Sequence, residues 1–294
     1  MNKLKKFLSS ISLVLVLVVS LVAFSACGST EKLFTRIDEN GVASANGQYV
    51  LFGHYATTLK EASVTIDESS LDDNGYFMGS DGNKYAKVSA KPDSSSIVFS
   101  DGSQIETGTE YYFKVERMKW RIVSESNNQA VLVSENIIDC HVYNNSMNDG
   151  NKYDTSAIRS YLNGELFAKM FSAKEQEIVL TTTVDNSVMS TGKETNPNAC
   201  DNTEDKVFLL SAKEVSEIVA NVGETFVPKY TTDYAKASGS GKDRADSNLG
   251  WWWLRSPHEK YNYASYDCAT SGISYSSVTQ KVGGIVPAIT LKLN

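Results

Sequence analysis

The chain has few of the residues from which catalytic and metal sites are built. Its 294 residues include three histidines, His54, His141 and His258, and four cysteines. No Gly-x-Ser-x-Gly elbow, phosphate-binding loop or His-Glu-x-x-His helix occurs, and no Cys-x-x-Cys or Cys/His spacing suits a metal. Cys140 and His141 are adjacent in sequence, a poor geometry for a base that must activate a nucleophile. Asp67-Glu68, Asp72-Asp73-Asn74 and the run from Asp201 to Asp205 offer oxygen ligands in pieces, but none has the spacing of an EF-hand loop. No metal or cofactor is therefore expected, and calcium has no motif behind it. A basic stripe is also missing, which excludes nucleic acid as an expected partner because phosphate binding needs a cationic face.

What the chain does have is an export-type beginning. Met1 to Lys6 carries three lysines, an apolar run follows from Phe7 to Phe24, and Ser25-Ala26-Cys27-Gly28 closes it, the order of a secretory signal. The run is shorter than the roughly 20 residues a spanning helix needs and is broken by Ser9, Ser10, Ser12 and Ser20, so cleavage is expected. Removing residues 1–26 takes Lys3, Lys5 and Lys6 and no acid, leaving 25 basic against 35 acidic side chains. The small residues before Cys27 are similar to a lipobox, although Phe24 stands where leucine is usual and a plain secretory cut near Ala26 is the alternative. Lipid on Cys27 would hold the protein at the extracellular face of the bacterial cell membrane.

The remainder divides into 27–46, small and polar and expected to be a flexible linker, and 47–294, long enough for one core of its own. Gln48 to Gly53 has the character of a strand. Gly75 to Met78 and Lys84 to Val88 flank the turn Ser80-Asp81-Gly82-Asn83, and Lys119 to Val123 and Ala130 to Val133 flank Ser126-Asn127-Asn128-Gln129, so two hairpins are predicted. Ile158, Tyr161, Leu162 and Leu166 recur at helical spacing, with Gly164 expected to break the helix. Ser172-Ala173-Lys174-Glu175 and Ser211-Ala212-Lys213-Glu214 are capping boxes. Short strands are expected at Trp251 to Leu254 and Ile285 to Leu291. The fold class that follows is α+β: one domain of short, irregular antiparallel strands with two or three short helices. Of the three cysteines beyond Cys27, the preferred disulfide is Cys140 with Cys268, leaving Cys200 in an exposed loop where its thiol could link to another molecule.

Trp251-Trp252-Trp253-Leu254-Arg255-Ser256-Pro257 and, later, Gly284-Ile285-Val286-Pro287-Ala288-Ile289 resemble the motifs of a family of extracellular domains of unknown function from Gram-positive bacteria, many of them lipid-anchored. Tyr49 to Gly53, Lys119 to Ile122, Ser156 to Gly164 and Lys206 to Ser211 fit the same family in order, so the resemblance spans about 47–293. Val286 stands where the family more often has arginine. The family is distantly similar to C-type-lectin-like folds and to formylglycine-generating enzymes, which implies a lectin-like architecture; the Glu-Pro-Asn, Gln-Pro-Asp and Trp-Asn-Asp metal signals of sugar-binding lectins are missing.

Alternation in a strand puts Trp251 and Trp253 on one side and Trp252 on the other, so much of that run is expected in the core. The candidate ligand contacts are Trp252, Arg255, Tyr261, Tyr263 and Tyr266, because indole and phenol rings stack on sugars while a guanidinium donates to hydroxyls. The leading expectation is a non-catalytic binding module for carbohydrate, cell-wall polymer or a surface protein. An enzyme on the same fold, with paired carboxylates or a Cys/His pair in a cleft, is the second, and an assembly protein linked through Cys200 is the third.

Overall fold

The computed structural model describes residues 32–293. The signal segment and Cys27 lie outside the described residues. From Leu33 onward the chain forms one compact unit, mostly β with a few short helices and antiparallel sheets.

The spine of the larger, nine-stranded sheet is Glu110–Ser126. Met118 and Trp120, two apart, enter the main core, while Phe113, five residues before Met118 and across an irregular stretch of pairing, enters a second, smaller core with Ala56, Phe99 and Ala237. Tyr49–Leu59 pairs with it from Tyr49 opposite Arg121 to Leu59 opposite Phe113. Both predicted hairpins form. Tyr76–Gly79 and Lys84–Ser89 make the first, the latter pairing onto Glu110 to Lys114. In the second, Gln129–Ser134 turns back on the spine through Asn127 and Asn128, at φ 49° and 62°. Two successive left-handed residues are what a two-residue type I′ hairpin turn requires, and asparagine tolerates that region better than most residues. The closing strand Ala288–Lys292 then pairs with Gln129–Ser134 and with the short strand Val179–Leu180.

Two expectations need correction here. Thr35–Ile37, assigned above to the linker, is a strand paired with Tyr49 to Leu51, with Ile37 buried and Arg36 in an ion pair with Glu125. A three-residue strand with one inward side chain leaves no period in the sequence. Gly164 also fails to end its helix. Ala157–Tyr161, capped by Ser156, runs through a π-helical turn at Leu162–Leu166 into Phe167–Met170, burying Ile158, Leu162, Leu166 and Met170 at intervals of four. Asn163 holds this turn by donating to Asp205 and the Val207 carbonyl while accepting from the amides of Lys206 and Val207.

The second sheet has five strands in the order Ser274–Ser277, Tyr263–Asp267, Trp252–Pro257, Gly284–Ile285 and Asp139–Cys140. The tryptophan strand sits at its centre, and all six of its residues are buried. Trp252, Trp253, Leu254 and Ile285 join Val50, Phe52, Trp120 and Leu132 of the larger sheet in one continuous core. Each large apolar side chain fully buried there contributes about 1.5–3 kcal/mol. Among the described residues no helix is long and apolar enough to cross a membrane.

Candidate functional site

Two of the five candidate contacts belong to the core. Trp252 is fully buried and its indole N–H donates to the Val227 carbonyl at 3.4 Å. Arg255 is 1% exposed; its Nη1 and Nη2 grip the two carboxylate oxygens of Glu214 at 2.5 and 2.7 Å and also donate to the carbonyls of Leu209 and Asp185. A planar guanidinium suits this double grip, and with its fork turned inward it has nothing left for a ligand. The same Glu214 completes the capping box with Ser211, so one carboxylate fixes a helix start and anchors the tryptophan strand. Ligand contact by Trp252 and Arg255 is thereby corrected to a structural role.

Trp251 differs from its neighbours. It is only half-buried and leans edge-on against Trp253, with ring centroids 5.0 Å apart, and against Tyr266 at 4.8 Å. A Cβ on Gly241 would stand 2.6 Å from its Nε1 and 3.1 Å from Val282, so only glycine there leaves room for the ring. Trp120, Trp252 and Trp253 all donate their indole N–H to backbone carbonyls. The indole N–H of Trp251 has no acceptor among the described residues.

Around Trp251 lies a groove of about 440 Å³. Tyr266 and Tyr275 line it from neighbouring strands, Lys242, Asp243 and Arg244 from the loop after the helix Asp233–Ser238, and Gln280 from the turn before the last sheet crossing. The pairing of Trp253 with Tyr266 and of Ser265 with Tyr275 brings these distant pieces together. Asp243 accepts from the Ala245 amide at 2.8 Å and from both the hydroxyl and the amide of Thr270. Its burial opposes ionisation, but the hydrogen bonds outweigh it and hold the carboxyl below the usual range.

The three candidate tyrosines part company. Tyr266 lines the groove, whereas Tyr263 packs against His258 and Tyr275 at centroid distances of 6.2 and 5.7 Å. His258 and Tyr275, but not Tyr263, line a second depression of about 290 Å³, which shares Ser274 and Tyr275 with the first and is also lined by Lys193 and Asn196, so Tyr263 borders neither. Burial lowers the pKa of His258, favouring the neutral ring. Tyr261 is 52% exposed on the preceding turn, lines neither depression and is corrected accordingly. Trp251, expected with most of its run in the core, was not among the candidate contacts, and Tyr275, Lys242, Arg244 and Gln280 were missed. Strand alternation through Ser274-Tyr275-Ser276 was the one signal available.

The expected Cys140–Cys268 disulfide does not form: Cys140, Cys200 and Cys268 are all free thiols. Cys140 bonds the Ser238 carbonyl and Cys268 meets the Ser271 hydroxyl. Cys140, Gly284, Trp252 and Asp267 lie in one row across the second sheet, so Cys268 starts three strand spacings, roughly 14 Å, from Cys140, beyond the ~7 Å Cα limit for a bridge.

The remaining titratable groups are distributed elsewhere. His54 Nδ1 stands 4.0 Å from a buried Glu175 oxygen beside a groove of about 380 Å³. Asp139 is buried and accepts from the hydroxyls of Tyr55 and Tyr161 at 2.5 and 2.6 Å; burial raises its pKa against those bonds. His141 stacks on Tyr161 at 4.4 Å. The acidic pieces weighed for calcium hold their own loops: Asp67 bonds Ser69, Asp72 bonds Asn74, Tyr76 and Lys84, and Asp205 bonds Thr203 and Arg159. Among the described residues no group of three or more His, Cys, Asp or Glu side chains could hold a metal ion.

Residues 127–293 match the family described as a domain of unknown function, DUF6273. The chain belongs to this family. No curated protein and no solved structure matches it. The match begins at the turn of the second hairpin, later than the 47–293 span of the resemblance, and the Trp251 groove lies wholly within it. The spine Glu110–Ser126 precedes the matched segment, yet the DUF6273 strands Gln129–Ser134 and Ala288–Lys292 are built onto it.

Proposed function

We propose that this DUF6273 protein is a non-catalytic extracellular binding module that recognises a glycan in the groove around Trp251. The observation that carries the reading is the pairing of a fixed, half-buried indole with Tyr266 in a polar groove, where the indole N–H has no protein acceptor. Aromatic faces supply flat apolar area for the C–H faces of sugars, and the surrounding donors suit hydroxyl and carboxylate oxygens. In this proposal lipid on Cys27 tethers the module to the outer face of a Gram-positive cell membrane, within reach of the wall. The lectin-like architecture implied by the resemblance is part of the proposal and rests on the short strands and loop-rich rim of the second sheet.

The test is capture of the detergent-solubilised full chain on purified cell wall, insoluble polysaccharides and a glycan array. Saturable binding to at least one polymer is expected, with its loss in Trp251→Ala and Tyr266→Ala. Equal capture of wild type and both variants would put the site elsewhere, and no capture on any glycan would count against the reading as a whole.

A further inference from the structure

The Trp251 groove holds more hydrogen-bond donors than the protein itself satisfies. Arg244 is exposed and forms no ion pair or hydrogen bond among the described residues, leaving five guanidinium donors open. The indole N–H of Trp251 is a donor that can never accept, and it too is open. Lys242 also lines the groove, although its ammonium donates at 2.7 Å to the hydroxyl of Ser96, a residue outside the lining. Against these stands a single lining carboxylate, Asp243, which is 3% exposed and already accepts from Ala245 and Thr270. Two cations therefore line the groove against one hydrogen-bonded carboxylate, a net positive lining in a chain whose formal net charge is −7.

Resting on the glycan-binding reading, we propose that the groove selects an anionic glycan, with a sugar ring against Trp251 and Tyr266 and a carboxylate or phosphate of the polymer on Arg244 and Lys242. A guanidinium fork binds either anion in a bidentate manner, so the two sources share one chemistry. A neutral sugar would leave the charge of Arg244 without a partner. Because Arg244 is exposed, ionic strength should weaken binding of the charged polymer more than that of a neutral one.

The experiment is calorimetric titration of the detergent-solubilised full chain with poly(glycerol phosphate), polygalacturonate and neutral chito-oligosaccharides, at low and high sodium chloride. At least one anionic polymer is expected to bind about tenfold more tightly than the neutral sugar. Arg244→Gln should remove about tenfold of its affinity, as one lost charge-assisted contact does. Lys213→Gln, on the exposed face of the helix Ala212–Val222, serves as a control of equal charge change and should bind like wild type. Preference for one polymer over the other identifies phosphate or carboxylate as the source. Neutral sugar bound as tightly as either polymer, with no change in Arg244→Gln, overturns the charge inference and leaves the glycan reading standing. Failure of all three probes overturns the charge inference, and the glycan reading falls with it only if capture on cell wall, polysaccharides and array fails as well.

Discussion

Trp253 lies in the strand Trp252–Pro257 and Trp251 immediately precedes it; their rings are in contact, yet they have opposite surroundings. Trp253 is fully buried, takes the space a Cβ on Gly283 would occupy and donates to the His141 carbonyl at 2.9 Å. Trp251 takes the equivalent space beside Gly241, but its N–H is unpaired and its ring borders open volume. The same contrast separates Arg255, whose charge is held by Glu214 and loop carbonyls, from Arg244, which has no partner. Residue type thus does not distinguish core from site in this region; the state of each polar atom does. The three buried indoles and Arg255 have acceptors, as the cost of an unmade buried bond favours, whereas the open donors of Trp251 and Arg244 border the groove, where another molecule can meet them.

The largest effect expected from breaking this contrast is on the core side. Arg255→Ala leaves the Leu209 and Asp185 carbonyls and the partly exposed Glu214 without their shared donor and should destabilise the fold by about 2–4 kcal/mol in urea unfolding, from unmade hydrogen bonds and lost packing. A loss below about 1 kcal/mol would mean the pair is dispensable. Next comes Asp267, buried on the strand beside Trp252, where burial pushes its carboxyl up to about 6. A raised native pKa means the folded state holds the proton more tightly. Its contribution is therefore full below about 4 and is lost as pH rises through about 6, on the order of 3 kcal/mol. Stability measured from pH 4 to 7 should fall along this window in wild type and lose that component in Asp267→Asn.

On the site side, Gly241→Ala forces its new methyl against Trp251 and Val282. It should cost about 1–2 kcal/mol of stability as an overpacked position while weakening glycan capture. Unchanged capture would show that the ring can move without consequence. The smallest effect is the response to reductant. With all three described thiols free, dithiothreitol should leave Tm unchanged, whereas a Cys140–Cys268 bridge would have contributed about 2–4 kcal/mol and lowered Tm visibly on reduction.

Much of this architecture was legible in the sequence wherever a local rule governs the backbone. The two hairpins follow from alternation and turn residues, with Asn127-Asn128 adopting the left-handed pair their turn demands. The serines of both capping boxes, Ser172 and Ser211, start helices and bond their glutamates three residues on. Elements with one inward residue were not legible, as Thr35–Ile37 shows, and the six-residue helix Asp233–Ser238, which buries the charged Asp233 and Lys236 beside two alanines, shows no apolar stripe. Tyr263–Asp267 was not foreseen as a strand because tyrosine, serine and aspartate blur its alternation. Part of the site was visible as an aromatic cluster near the C-terminus. Its composition was hidden because the register between strands, not proximity along the chain, sets Arg244 and Gln280 beside Trp251 and Tyr275.

The four indole N–H groups give the sharpest reading of this contrast, since each has its own resonance in a nitrogen–proton correlation spectrum. Hydrogen exchange of the full chain should leave three of them, Trp120, Trp252 and Trp253, slow, and one, Trp251, fast. The fast resonance alone should shift when the polymer found by capture is titrated in. Slow exchange at Trp251, or a ligand shift confined to the other three, would contradict the assignment of this groove as the binding site.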